Sequence, residues 1–262
     1  MTKTVKANGI ETSYSLEGPA DAPVLMLSNS LLTDYGMWDF QMPAFSAKYR
    51  VLRYDSRGHG GTQATPGAYT MELLVADVVG LLDALGIARV HFLGLSMGGM
   101  IGQLLAARHG DRLLSLCLSD TACQMPDAAA WDARIELARS KGTSAFVGPM
   151  TERWLTAGYR ERHPEVLAKL AAMISRTAVD GLVGCANAIK TMDHLALLPG
   201  IKVPTQVIVG EHDVGTPVAA AQVLQREIPG AKLQVIKGAA HLPNVEQTAV
   251  FDATVLDFLS RH

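Results

Sequence analysis

The apolar run Val90-His91-Phe92-Leu93 leads straight into Gly94-Leu95-Ser96-Met97-Gly98, and a stretch of helical character follows with no linker. A strand that must become a helix within a few residues leaves room only for a sharp elbow. G-x-S-x-G at such a junction holds its serine in a strained backbone conformation, so that the hydroxyl stands out at the top of a sheet. Glycines are needed on either side because a Cβ there would strike the neighbouring strand and helix. The helix start behind Ser96 also offers free backbone N–H groups beside the hydroxyl. The rival reading is a Gly-rich βα turn that cradles a phosphate. Against it, the spacing is not G-x-G-x-x-G and the turn is not the first of its kind in the chain.

Around that elbow the chain alternates short apolar runs with helical stretches. Thr2 to Leu16 reads as two strands around the turn Asn8-Gly9. Val24–Leu27, Tyr49–Tyr54, Leu113–Asp120, Val203–Gly210 and Lys232–Ile236 read as further strands. Helices are expected around Trp38–Phe45, over Met71–Leu85 closing on Gly86, from Pro217 to Ile228, and from Val245 to Leu259. Strand–helix alternation of this kind predicts an α/β fold, a mostly parallel sheet with helices on both faces.

From Cys123 to Met192 no strand is evident. Helical stretches appear instead over Asp127–Lys141, Gly142–Trp154, Pro164–Arg176 and Asp180–Lys190, and they carry two of the three tryptophans, Trp131 and Trp154. Residues 123–192 are expected to form a helical cap inserted in a core made of 1–122 and 193–262, lying above the edge where Ser96 stands.

A serine hydroxyl needs a base to be nucleophilic at neutral pH, and the base needs a group to orient it. Asp213 follows one downstream strand and His241 follows the next, so the order is Ser96…Asp213…His241, each at the carboxyl end of a strand. Glu211 is the rival acid. His59, His91, His194 and His212 are rivals for the base, but none lies in a matching terminal loop. The developing oxyanion needs N–H donors: one from Met97, the residue after the nucleophile, and one from the loop after Val24–Leu27, where the Leu31 backbone is chosen. Asp55, Arg57 and His59 of the tight loop Asp55–Thr62 read as architectural, an Asp and a nearby Arg pairing the loop's polar groups.

Bulk properties exclude several classes. With 48% hydrophobic residues in 262 the chain can bury a sizeable core. A formal net charge of −2 without a basic stretch argues against nucleic acid as a partner. No apolar run reaches membrane-spanning length, and no signal-peptide layout opens the sequence. Cys117, Cys123 and Cys185 are few and odd in number, which points to reduced thiols in a cytoplasm. No Cys/His spacing reads as a zinc site, and no metal-ligating residues are expected.

With these motifs the chain resembles the α/β-hydrolase superfamily over nearly its whole length. Within it, the chain most closely resembles the 3-oxoadipate enol-lactonases of the β-ketoadipate route of aromatic breakdown. The stretches that carry this are Leu27-Ser28-Asn29-Ser30-Leu31, Met37-Trp38-Asp39, Arg53 to Gly60 and Gly94 to Gly99. Ser28-Asn29-Ser30 stands where many relatives have His-Gly. The resemblance implies Leu31 and Met97 as oxyanion donors, a small enol-lactone with an acetate arm as substrate, and no cofactor. An acetate carboxylate entering a pocket needs a cation or several donors. Trp131 and Arg134, three apart on one helix, are the candidates to pack on the ring and to bind the carboxylate. Other readings of the same scaffold are a C–C bond hydrolase of ring-cleavage products, a general carboxylesterase or haloperoxidase-like relative, and a ligand-binding receptor.

Overall fold

The computed structural model describes residues 2–125 and 127–262. The chain opens with the hairpin β1 (Lys3–Ala7) and β2 (Ile10–Glu17), whose turn residues Asn8 and Gly9 both take positive φ. β3 (Val24–Ser28), the short helix α1 (Met42–Phe45), β4 (Arg50–Tyr54), α2 (Met71–Ala84), β5 (Val90–Leu95), α3 (Met97–Arg108) and β6 (Leu113–Ser119) follow. Helices α4 (Ala128–Lys141), α5 (Val147–Trp154), α6 (Ala157–Arg162), α7 (Pro164–Arg176) and α8 (Val179–Lys190) then come without an intervening strand. β7 (Thr205–Gly210), α9 (Val218–Glu227), β8 (Lys232–Ile236), α10 (Pro243–Glu246) and α11 (Thr248–Leu259) complete the chain.

The eight strands form one sheet in the order β1-β2-β4-β3-β5-β6-β7-β8. β1, β2 and β4 pair antiparallel, and every other neighbour is parallel. β5 sits between β3 and β6, and all residues of β5 and β7 are buried. Burial of both faces is what a parallel strand covered by helices on each side requires, and it accounts for the uninterrupted apolar runs. The carboxyl ends of β5, β7 and β8 therefore meet along one edge of the sheet.

The insert between β6 and β7 is tied to the core at several points. At its foot Gln124 and Asp193 form a β-bridge, and His194 N–H donates to the Cys123 carbonyl at 2.9 Å. Arg176 pairs with Asp34, and Lys169 pairs with Asp39 at 2.7 Å. Helix α8 comes so close to the Asp55–Thr62 loop that a Cβ on Gly181 would run into the backbone of Gly58. Ala178 N–H donates to the Gly58 carbonyl at 3.1 Å in the same seam.

Local details depart from the periodicity. The expected helix over Gly142–Trp154 is a 3-10 turn, Thr143–Phe146, leading into α5. Gly142, at φ 74°, ends α4 and redirects the chain. Helix α6 goes beyond the expected set; it has no buried residue and so carries no apolar stripe to announce it. The C-terminal helix breaks at Gln247, where φ −131° and ψ 49° leave the helical region. The region around Trp38–Phe45 likewise splits into a 3-10 turn, Tyr35–Trp38, and α1. Asp55 does not pair with Arg57: Arg57 Nε reaches Asp77 at 2.8 Å, and Asp55 accepts from the N–H groups of Tyr35 and Gly61. Among the described residues no helix is long and apolar enough to cross a membrane, and the three cysteines are buried thiols.

Candidate active site

Ser96 stands between the last residue of β5 and the first turn of α3, at φ 56° and ψ −115°. A non-glycine residue there costs on the order of 1–3 kcal/mol, so its surroundings must hold it. Ser96 N–H donates to the Ser119 carbonyl at 2.9 Å, and Thr121 Oγ1 donates to the Ser96 carbonyl at 2.8 Å. The flanking glycines are sterically obligatory. A Cβ on Gly94 would overlap the Gly98 carbonyl, and one on Gly98 would overlap the carbonyl of Ser28 on β3.

Asp213 lies in the turn after β7, and its buried carboxylate has every lone-pair direction engaged. Gly215 N–H and Thr216 N–H donate to Oδ1 at 2.7 and 3.1 Å. Thr216 Oγ1 and His241 Nδ1 donate to Oδ2 at 2.7 and 2.8 Å. Burial alone would push this carboxyl up. The His241 charge and the bonds from His241 and Thr216 outweigh it and hold the group well below the usual carboxylate range. An ionised carboxylate can only accept, so Nδ1 of His241 carries its hydrogen. That leaves Nε2 as the ring nitrogen free to act on Ser96, and in the neutral tautomer it is a bare lone pair, the form a general base needs.

Ser96, Asp213 and His241 line one cavity together with Leu31 and Leu32. No hydrogen bond joins Ser96 to His241, and a nucleophile–base contact of this kind tightens when substrate arrives. In the loop after β3, Ser30 N–H meets Met37 Sδ, Leu32 N–H meets His59 and Thr33 N–H meets the Ser30 carbonyl. Leu31 N–H, in their midst, has no partner among the described residues. Met97 N–H is alike, lying between the bonded N–H groups of Ser96 and Gly98.

The roof of the cavity comes from the insert. Trp131 and Arg134 of α4 both line it, with the guanidinium of Arg134 stacked over the Trp131 ring. Arg153 and Trp154 of α5 line it as well. A Cβ on Gly215 would stand 3.4 Å from Arg153 Nη2 and 3.9 Å from His241 Nδ1, which sets Arg153 beside the Asp213–His241 pair. Neither arginine makes an ion pair or a side-chain hydrogen bond among the described residues. Burial and the neighbouring Arg153 charge both lower the pKa of Arg134, as expected where cations face each other across a partly dry space.

The rival residues lie elsewhere. Glu211 accepts from Gly238 N–H at 3.0 Å and points to solvent beside His212. His91 is tied to Ser115 inside the sheet, and His194 sits at the foot of the insert. Four residues of the site region are not singled out by the sequence, and Thr216 and Arg153 are two of them. Glu246, the third, accepts from Thr156 N–H in the insert at 2.8 Å and from Ala240 N–H, next to His241, at 2.6 Å. Asp120, fully buried at the end of β6, lies with Asp213 and His241 in one cluster whose polar atoms are within 4.8 Å of one another. Burial and the Asp213 charge raise its carboxyl well above the ordinary value, which favours the protonated form beside Asp213. Asp120 is the last residue of the run Leu113–Asp120, and a carboxylate closing an apolar strand is the signal available for it.

The family model described as alpha/beta hydrolase fold matches residues 23–248. The chain belongs to the α/β hydrolase fold family. Among hydrolase relatives, 3-oxoadipate enol-lactonase 2 of Acinetobacter baylyi is 36% identical over 98% of this chain and 96% of its own length. The crystal structure of the enol-lactonase from Burkholderia xenovorans LB400 superposes with a TM-score of 0.96, at 42% identity, covering 98% of this chain and all of that one. RutD of Stutzerimonas stutzeri, named as a proposed carbamate hydrolase, is 31% identical over 94% of this chain and 96% of its own length.

Proposed function

We propose that this hydrolase opens a small lactone bearing a carboxylate arm, 3-oxoadipate enol-lactone, to the 3-oxo dicarboxylate. The observation that carries the substrate class is the pair of unpartnered arginines, Arg134 and Arg153, in the cavity that holds Ser96. A semi-enclosed cavity with two uncompensated cations recognises an anion, and a carboxylate is the anion that guanidinium forks match. The enol-lactonase relatives supply the identity of the lactone.

In this reading the acetate arm docks on the arginines and the lactone ring rests against Trp131. Ser96 Oγ attacks the ring carbonyl while His241 Nε2 takes its proton, and Asp213 stabilises the imidazolium. The oxyanion points at the N–H groups of Leu31 and Met97. Collapse breaks the ring C–O bond, His241 returns the proton to the enolate oxygen, and the enol becomes a ketone. Because the ring is opened rather than cut in two, leaving group and acyl group stay in one molecule. Water, deprotonated by His241, then releases the dicarboxylate from Ser96. No step calls on a cofactor. Helices α4–α8 act as the cap, and the buried free thiols suit a cytoplasmic setting.

The test is the loss of ultraviolet absorbance of freshly generated enol-lactone, for the wild type and Ser96→Ala, beside a neutral ester and a small carbamate. Rapid, Ser96-dependent ring opening well above both comparison substrates supports the proposal. Faster turnover of the carbamate or the ester overturns it.

A further inference from the structure

The Asp55–Thr62 loop has no part in the mechanism above, yet it sends one side chain to the oxyanion loop. His59 is buried, and both of its ring nitrogens are engaged. Nε2 receives the Leu32 N–H at 3.1 Å, and Nδ1 lies 3.1 Å from the Arg57 carbonyl. A backbone N–H can only donate and a carbonyl can only accept. The ring must therefore be neutral, with its hydrogen on Nδ1 and a bare lone pair on Nε2. Burial favours the same state, lowering the His59 pKa to about 4.

The residue held this way is unusual. Leu32 has φ 66°, in the left-handed region that a branched side chain avoids, and its side chain is buried. The bond to His59 fixes the peptide plane immediately after Leu31. The plane before Ser30 is fixed by Met37 Sδ, and Thr33 N–H closes back on the Ser30 carbonyl. With its neighbours tied down, Leu31 N–H is, among the described residues, the amide of Ser30–Thr33 left without a partner for the cavity to use.

We infer that His59 is a positioning residue of the oxyanion hole: as a neutral acceptor it ties back the Leu32 amide and so presents the Leu31 amide to the reacting carbonyl oxygen. The inference rests on the acyl-transfer reading of Ser96 and not on which lactone is the substrate. His59 itself touches no substrate. Its effect should appear in kcat, because the Leu31 donor acts on charge that develops only as the carbonyl is attacked.

The experiment compares His59→Leu, which removes the acceptor, with His59→Gln, whose side-chain oxygen can replace it. Both are assayed on p-nitrophenyl acetate and on the enol-lactone. Losing one oxyanion donor costs about 100- to 1000-fold in kcat, so a misplaced donor in His59→Leu is expected to cost about 10- to 100-fold on either substrate. KM should stay within about twofold. Labelling of Ser96 by a fluorophosphonate should slow in parallel, and His59→Gln should recover most of the loss. Full kcat in a folded His59→Leu overturns the inference. So do equal losses in the two variants when both melt like the wild type. Should His59→Leu not fold, nitrogen NMR of the wild type at pH 7 decides: the Nδ1–H tautomer is expected, and an Nε2–H or charged His59 ring overturns it. Failure of the substrate reading shows separately, as a wild type active on the acetate ester and inert on the enol-lactone.

Discussion

The guanidinium carbon of Arg134 lies 4.3 Å from the centre of the Trp131 ring. The stack holds the cation against an apolar wall without neutralising it, and Arg153 adds a second free charge to the same cavity. Hydrogen bonds to charged groups contribute about 1.5–3 kcal/mol each. Arg134→Ala and Arg153→Ala are each expected to lower kcat/KM on the carboxylated lactone by roughly 10- to 100-fold, and on a neutral ester by less than about threefold. Steady-state kinetics on the two substrates checks this. Matching losses on both would remove the carboxylate role.

Asp213→Asn should leave the fold intact and disable catalysis. Each carboxylate oxygen takes two donors and an amide nitrogen cannot accept, so two of the four donors lose their acceptor and His241 no longer has its hydrogen fixed on Nδ1. Loss of the orienting carboxylate in a serine triad costs about 10,000-fold in kcat. A fall of that order with an unchanged circular dichroism spectrum is expected. A loss below about 100-fold would point to another acid, Asp120 being nearest.

Burial of His59 also ties stability to pH. Its folded-state pKa, about 4, lies below the ordinary value of 6.5. Between those values the unfolded chain binds more protons than the folded one, so this group's contribution is fully present above pH 6.5 and is lost as pH falls towards 4. A tenfold difference in proton affinity between the two states is worth about 1.4 kcal/mol. Asp34 is the charged group acting on the ring, and it favours the protonated form. His91 and His194 are displaced in the same direction and are common to both proteins compared. Thermal melts at pH 7 and pH 5 should therefore show a steeper decline for the wild type than for His59→Gln. Parallel declines would contradict the buried neutral ring.

Glu246 connects the insert to the loop that carries His241. One carboxylate oxygen takes Thr156 N–H and Thr156 Oγ1, and the other takes the N–H of Ala240 beside His241. Glu246→Ala frees three donors at once. It is expected to destabilise the fold by about 1–3 kcal/mol and to reduce kcat on every substrate, because the His241 loop loses its brace. Melting temperature and turnover of a neutral ester measure the two effects. A variant with wild-type values of both would show the brace to be idle.

The sheet and the elbow are legible in the sequence because their signals are local. An apolar run of strand length, a G-x-S-x-G turn and a helical stretch follow one another within 18 residues, from Val90 to Ala107. Asp213 and His241 can be located by their position after strands. The N–H groups of Leu31 and Met97 belong to the main chain, so side-chain identity says nothing of them. Arg153 is a different matter. Its place next to Arg134 depends on how α5 crosses the cavity roof, and neither helix encodes the other's position. The Asp55–Thr62 loop reads as self-contained in the sequence, whereas Arg57 reaches to α2 and His59 to the loop after β3. Partners so far apart in sequence are joined only by the tertiary fold.

Ser96, His241, Asp213 and the N–H groups of Leu31 and Met97 all hang on the carboxyl edge of the sheet, while Trp131, Arg134 and Arg153 hang on the helices between β6 and β7. In the proposed function, what the enzyme accepts and how it cuts are thus written on separate lengths of chain. Substitutions confined to 128–154 could change its diet and leave the cutting edge as it is.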